Sequence, residues 1–189
     1  MVTLEAELKA TLAEALGVPT AVLEDVDEGV VEVALGTVAD LAQRVFELEQ
    51  LAECDELTGA MRRGAGLRAI DREAKRAWRS NVPMVVAFID VDGLKRVNDE
   101  QGHAAGDRLL REVSQTVASC LRCYDVVARY GGDEFVCALP GLVLEEAMVR
   151  FGEVRAALAA TPSRAQITVG LVELEAGETV EAALERADA

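Results

Sequence analysis

Apolar residues along this chain fall into two regimes, one with helical spacing and one with short continuous runs. Leu4, Leu8, Leu12 and Leu16 recur at helical spacing up to Gly17-Val18-Pro19, and Thr20 is placed to cap a short second segment. Val31, Ala34, Val38, Leu41, Val45, Leu48 and Ala52 then alternate steps of three and four, an a/d seam lasting about three heptads. That seam predicts a parallel coiled-coil stalk; the alternative is an amphipathic helix packed on its own domain. Further on, Val85-Val86-Ala87-Phe88-Ile89 is unbroken by polar residues and predicts a buried central strand. Val126-Val127-Ala128 and Phe135-Val136-Cys137-Ala138-Leu139 are two more β-prone runs, with Pro140-Gly141 as a stop, and predict a hairpin. Leu109, Leu110, Val113 and Val117 mark an amphipathic helix, opened by a predicted loop over Gly102-His103-Ala104-Ala105-Gly106-Asp107.

Acidic residues sit where these elements end. Asp90-Val91-Asp92-Gly93 closes the buried run, and alternation puts Asp90 and Asp92 on one face. The hairpin turn carries Gly131-Gly132-Asp133-Glu134. Carboxylates clustered at strand ends cost free energy unless a cation or hydrogen bonds compensate them. Magnesium, which takes a few carboxylate oxygens and completes its octahedron with water and nucleotide phosphates, suits such a set. A merely solvated acidic hairpin tip is the competing reading. Asp107 alone reads as a first-turn or capping carboxylate, Asn98-Asp99 as a turn, and Lys95 as a solvated helix residue. His103, the single histidine, is assigned to holding its loop rather than to catalysis.

Taken together, Asp90-Val-Asp-Gly-Leu-Lys-Arg-Val-Asn98-Asp99, Gly102-His-Ala-Ala-Gly-Asp107 and Arg129-Tyr-Gly-Gly-Asp-Glu-Phe135 resemble the GGDEF family of diguanylate cyclases. Asp55-Glu-Leu-Thr-Gly59 resembles the family's opening motif, and Arg122-Cys-Tyr-Asp125 its RxxD product-inhibition motif. The resemblance implies an α/β (α+β) palm-like nucleotide-cyclase fold, a mostly antiparallel sheet flanked by helices, over residues 55–189, preceded by a helical segment over 1–54. It implies that two GTP molecules condense into cyclic di-GMP with release of two pyrophosphates, between two domains brought together in a homodimer through the N-terminal helices. It also implies site roles. Asp90, Asp133, Glu134 and the backbone carbonyl of Val91 would bind Mg2+ or Mn2+, and Asn98 and Asp107 would read guanine. Lys95 would lie near the phosphates, and Gly131 and Gly132 would admit the nucleotide. Asp133, with Glu134 as the other catalytic acid, would help deprotonate the attacking 3′-hydroxyl. Arg122 and Asp125 would form the inhibitory product site, with Arg155 as a supplementary clamp; on spacing alone Arg122 and Asp125 are a surface ion pair of little energetic value.

The match is softer in places. Leu94 stands where the family often has Phe, and the opening motif continues Ala60-Met61-Arg62-Arg63 rather than with Leu and Asn-Arg-Arg. Thr179–Ala189 resembles the start of the last family helix, and the Tyr-x-Ala-Lys and Gly-Arg segment that contacts terminal phosphates does not follow, so residues 55–189 are expected to lack the family's last segment. A catalytically weak or silent domain sensing cyclic di-GMP or GTP is therefore the alternative function. A scaffold without nucleotide binding is a third, and clustered carboxylates argue against it.

Charge narrows the partners. Residues 1–57 hold fourteen Asp or Glu against two basic residues, a net of −12 out of −15 for the chain. The remainder is close to neutral and does not repel GTP strongly, while the acidic N-terminal part argues against nucleic acid and anionic membranes. No apolar run approaches the roughly 20 residues of a membrane helix, and Met1-Val-Thr-Leu-Glu lacks the pattern of a signal peptide, which predicts a cytoplasmic protein with no membrane insertion. Cys54, Cys120, Cys123 and Cys137 are expected to be reduced, small buried thiols; a lone Cys120-x-x-Cys123 is a weak zinc or redox signal.

Overall fold

The computed structural model describes residues 9–14, 17–23, 26–51 and 53–188, with the side chains of 28, 42 and 45–51 left aside. It divides into two units, Met1–Leu51 and Ala52–Ala189.

In the first unit, residues 9–14 are helical, Thr20–Leu23 forms a single 3-10 turn, and helix α1 spans Glu28–Leu51. Asp27 starts α1, its carboxylate accepting from the Gly29 N–H at 2.9 Å. Leu12, Ala13, Leu23 and Val31 form a small core, with Ala34, Leu35 and Val38 packed against it. The first three positions of the predicted seam, Val31, Ala34 and Val38, are thus spent on packing within the unit. Leu41 is 55% exposed, and the packing of Val45, Leu48 and Ala52 lies outside the described residues, as do Leu4, Leu8 and Leu16. At these three of the seam's seven positions the packing is within the unit.

The second unit is a five-stranded sheet flanked by helices. Its elements are β1 (Met61–Arg62), α2 (Arg63–Ser80), β2 (Met84–Val91), α3 (Leu94–Gln101), α4 (His103–Cys120), β3 (Val126–Arg129), β4 (Glu134–Pro140), α5 (Leu144–Ala159), β5 (Ile167–Glu173) and α6 (Val180–Asp188). The strand order is β1-β3-β4-β2-β5, antiparallel except for the short β1–β3 pair. The mostly antiparallel α/β architecture expected from the sequence is therefore what the chain adopts.

Strand alternation divides the core. Val85, Ala87, Ile89 and Val91 of β2, with Phe135, Cys137 and Leu139 of β4, meet Leu109, Leu110 and Val113 of α4 and Phe151, Val154 and Leu158 of α5. Val86 and Phe88, with Val136 and Ala138, face Ile70 and Ala74 of α2 and Val180, Ala183 and Leu184 of α6. Both faces are covered, which is why β2 and β4 carry continuous apolar runs. Asp90 continues the Val86–Phe88 side, toward α2 and α6.

Two close approaches fix the helices that matter for the site. A Cβ on Gly106 would overlap the Asn98 side chain, so α3 and α4 pack closely where one helix carries Asn98 and the other Gly106. A Cβ on Gly170 would run into the backbone carbonyl of Ala187, so the end of α6 lies directly on β5.

The predicted loop at 102–107 is a correction. Only Gly102, at φ 81°, breaks the helices, and α4 begins at His103. Ala104 and Ala105 favour helix, and Gly106 is tolerated there for its fit against Asn98. Asp107 consequently sits beyond the first turn of α4 and is no cap. The cysteines also differ from expectation: Cys137 is buried, Cys120 half-buried, and Cys54 and Cys123 exposed, all four as free thiols.

Candidate active site

The hairpin forms as predicted, with Arg129 opposite Phe135 and the turn at 130–133 closed by the Tyr130 and Gly131 N–H groups, both donating to the Glu134 carbonyl at 2.8 and 3.2 Å. The Val91 N–H donates to the Asp133 carbonyl at 3.0 Å, which fixes the turn against the end of β2. The register places Asp90 directly opposite Glu134 on one side and Thr168 on the other. Thr168 donates its hydroxyl to Asp92 at 2.9 Å, and the Asp92 N–H donates to the Gln166 carbonyl at 3.0 Å. The strand itself stops at Val91, and Asp92 is held by the edge of β5.

Two carboxylates directly opposite across a sheet repel. Burial pushes the Asp90 carboxyl up, and Asp133, Asp92 and Asp188 push it further. Burial likewise raises Glu134, reinforced by Asp133, Asp188 and Asp90, and opposed by Arg63. No hydrogen bond or ion pair to a side chain of Asp90, Asp133 or Glu134 occurs among the described residues. A Cβ on Gly131 would overlap the Glu134 carboxylate, so glycine there keeps the acid next to the turn.

This excess of uncompensated negative charge fits a divalent cation. Among the described residues no three acidic, histidine or cysteine side chains converge closely enough to hold an ion alone. A magnesium ion here would need water and phosphate oxygens to complete its shell.

The surroundings contain residues to which the sequence reading gave no role. Arg129 forks between Asp55, at 3.1 Å, and the Gly132 carbonyl, at 2.7 Å, tying the opening motif to the acidic turn. Burial pulls the Asp55 carboxyl up, but hydrogen bonds from the Thr58 hydroxyl and N–H, and from Arg129, outweigh it and leave it lowered. Arg63 donates to the Tyr130 hydroxyl at 3.0 Å and lies 4.2 Å over its ring, while Tyr130 packs edge-on against Phe88. Asp188, in the last turn of α6, reaches the cluster only because Gly170 lets that helix end down onto the sheet. Nothing local in the sequence marks it.

Asn98 packs against Gly106, one residue before Asp107, so the paired positions that would read a base are brought together on α3 and α4. Lys95 is exposed on α3. At the far end of β3, Asp125 accepts from the Arg122 N–H at 2.8 Å. Burial raises Asp125 against the opposing effects of that bond, Arg122 and Arg150, and its Oδ1 is buried without a hydrogen-bond partner among the described residues. Arg150, which donates to the Cys120 carbonyl at 3.3 Å, lines a groove with Arg122. Arg155 instead lines a groove with Arg164 and Asp92, so the structure puts Arg150, and not Arg155, beside Arg122. Helical phase accounts for the difference: residues 150 and 155 lie more than one turn apart on α5 and face different neighbours.

No helix among the described residues is long and apolar enough to cross a membrane. Comparison with known proteins places this geometry. A region of 36% identity covers 74% of the chain and 22% of the diguanylate cyclase DgcP of Pseudomonas aeruginosa, and another of 36% covers 74% of the chain and 33% of the response regulator PleD of Caulobacter vibrioides. The chain thus spans between about a fifth and a third of these relatives. A cyclic di-GMP phosphodiesterase, NbdA of Pseudomonas aeruginosa, is 42% identical over half of the chain and 12% of its own length. Among solved structures, the diguanylate cyclase SiaD of Pseudomonas aeruginosa, in complex with its activator SiaC, matches 82% of the chain and 65% of its own at a TM-score of 0.69 and 34% identity. The GGDEF domain of DgcB from Caulobacter crescentus, in complex with c-di-GMP, matches 72% of the chain and 84% of its own at 0.68 and 26%. With the family model described as diguanylate cyclase, GGDEF domain, matching residues 52–189, the chain belongs to the GGDEF family.

Proposed function

We propose that this chain is a cytoplasmic, metal-dependent diguanylate cyclase that joins two GTP molecules into cyclic di-GMP. The observation that carries this reading is the Asp90–Glu134 pair, two facing carboxylates with raised pKa and no hydrogen-bond or ion-pair partner among the described residues, beside a glycine turn. A catalyst that must gather cations around phosphates has use for such a pair; a scaffold does not.

Asp90, Asp133, Glu134 and the Val91 carbonyl, completed by water and the nucleotide phosphates, would hold Mg2+ or Mn2+, which when bound stabilises negative charge on phosphoryl oxygens and favours the ionised 3′-hydroxyl. Asn98 and Asp107 orient guanine from α3 and α4, and Lys95 and Arg63 supply positive charge toward the phosphates. Gly131 and Gly132 leave the turn open to the nucleotide. Asp133 accepts the proton of the 3′-hydroxyl as that oxygen attacks the α-phosphate of the second GTP. The bond to pyrophosphate breaks as the new phosphodiester forms, and a second such step closes the ring. Positioning supplies much of the rate enhancement. Each domain holds one GTP, so a homodimer through the N-terminal helices is part of the reading; Leu41, exposed on α1, supports it.

Product inhibition through Arg122 and Asp125 is part of the same proposal, with Arg150 in place of Arg155 as the second guanidinium. The orphaned Asp125 Oδ1 supports it, because a guanine N–H would satisfy that acceptor. The same observation favours the second reading, a silent domain that senses cyclic di-GMP.

Incubation with GTP and Mg2+, followed by chromatographic separation of nucleotides, tests the cyclase, with Asp133→Asn alongside. Cyclic di-GMP from the unmodified protein alone is the expected result. No product, with calorimetric binding of cyclic di-GMP that Arg122→Ala abolishes, would make the domain a receptor.

A further inference from the structure

A groove of about 550 Å³ runs between the end of α5 and the start of β5. Arg155 and Arg164 line it, Ala159, Ala165 and Ile167 give it apolar surface, and Asp92 closes one end. Its volume falls within the range of small-molecule sites. Both arginines are exposed, and neither guanidinium takes part in a hydrogen bond or ion pair among the described residues. In a chain with 34 acidic and 19 basic residues, two guanidiniums lining one groove without a carboxylate partner form a local positive site.

Arg164 also has a left-handed backbone, at φ 49°, in the turn closed by its N–H on the Thr161 carbonyl at 3.1 Å. A non-glycine residue there carries backbone strain, which persists where surrounding structure demands that conformation. Here the turn presents a second arginine to a groove that already has one.

We propose that this groove binds a nucleoside phosphate at a site separate from both the acidic turn and the Arg122 groove. The two guanidinium forks take the phosphate, since planar donors match its oxygens bidentately. The base lies on Ala159, Ala165 and Ile167. Asp92, whose Oδ1 is occupied by Thr168, retains Oδ2 to accept from an amino or hydroxyl group of the ligand. Binding involves no covalent step and no metal.

The test is a titration of the full chain with GMP, without divalent metal, followed by amide-resolved 1H–15N NMR. Saturable shifts are expected at Ala159, Ala165 and Ile167. Arg155→Ala with Arg164→Ala weakens that response by about tenfold or more, the scale of losing a charge-assisted hydrogen bond, while shifts at Asn98 and Asp107 are retained. Inorganic phosphate alone competes, but more weakly than GMP. Shifts confined to Asn98 and Asp107, or groove shifts undiminished in the double variant, overturn the proposal. The single Arg164→Gln variant gives the same readout should the double variant lose its dispersed native spectrum. Cyclase activity enters none of these outcomes, so this site and the proposed reaction stand or fall separately.

Discussion

Asp55 and Asp90 are both half-buried carboxylates tied to the same hairpin, yet burial leaves them in opposite states. Asp55 accepts from two groups of Thr58 and from Arg129 and is held below the usual carboxylate range. The Asp90 carboxylate faces Glu134, has Asp133 and Asp188 nearby, accepts no hydrogen bond among the described residues, and is pushed above that range. The first is a joint, with its charge neutralised inside the protein. The second has no neutralising hydrogen bond or ion pair among the described residues. Similar burial therefore says little about a carboxylate's role until its partners are named.

The sharpest way to break this comparison is to remove charge from the second group. Asp90→Asn should lower cyclic di-GMP formation about 10²–10³-fold, the scale of several kcal/mol of lost charge stabilisation, read from initial rates at saturating GTP. The same variant should be at least as stable as the parent without metal, and Mg2+ should raise the Tm of the parent but not of the variant. A destabilised Asp90→Asn with intact activity would mean that Asp90 belongs with Asp55.

Removing the joint should do the reverse. Arg129→Ala leaves Asp55 unpaired and frees the Gly132 carbonyl, and should cost about 2 kcal/mol in urea unfolding, allowing for partial exposure of the pair. Metal-dependent stabilisation should survive in weakened form, because the acids remain and only the turn loosens.

Gly106→Ala should cost about 1–3 kcal/mol through its clash with Asn98. It should also raise the KM for GTP more than it lowers kcat, if Asn98 orients the base.

The smallest effects lie in pH dependence. The raised pKa of Asp90 means that the native state holds its proton more tightly than the unfolded chain. Its contribution therefore lowers stability as pH rises from the unfolded value of 3.8 through the folded one. Asp55, lowered in the native state, contributes stability at neutral pH that is lost as pH falls below 3.8 through its folded value. Urea midpoints measured across acidic pH should thus change slope in opposite directions in Asp90→Asn and Asp55→Asn.

Much of this contrast could be read from the sequence, but not all. The strands β2 and β4 stood out because they are buried on both faces, and their terminal acids followed from where the apolar runs end. β1, two residues long, left no periodic signal. Residues 102–107 look like a loop because glycine usually breaks helices, whereas Gly106 serves a helix contact visible only once Asn98 is in place. The seam through Val31, Ala34 and Val38 had two possible partners, and periodicity does not distinguish a neighbouring chain from residues 9–14 of the same one. Arg150, Arg63 and Asp188 share the cause of their omission: each acquires its neighbours through packing between elements distant in sequence. Arg129 was visible in its motif, but its fork to Asp55 spans 74 residues.

Gly170 gives the acidic cluster a mechanical control that is not itself charged. Its missing side chain is the clearance that seats the last turn of α6, and the obstacle any larger residue would meet is main chain, which has no rotamer to yield. A methyl group at that position would act as a wedge, lifting Asp188 while Val180 and Leu184 stay anchored in the core. Moving Asp188 outward relaxes the repulsion on Asp90 and Glu134 without altering either carboxylate. The repulsion among those acids is therefore adjustable from β5, by steric means alone.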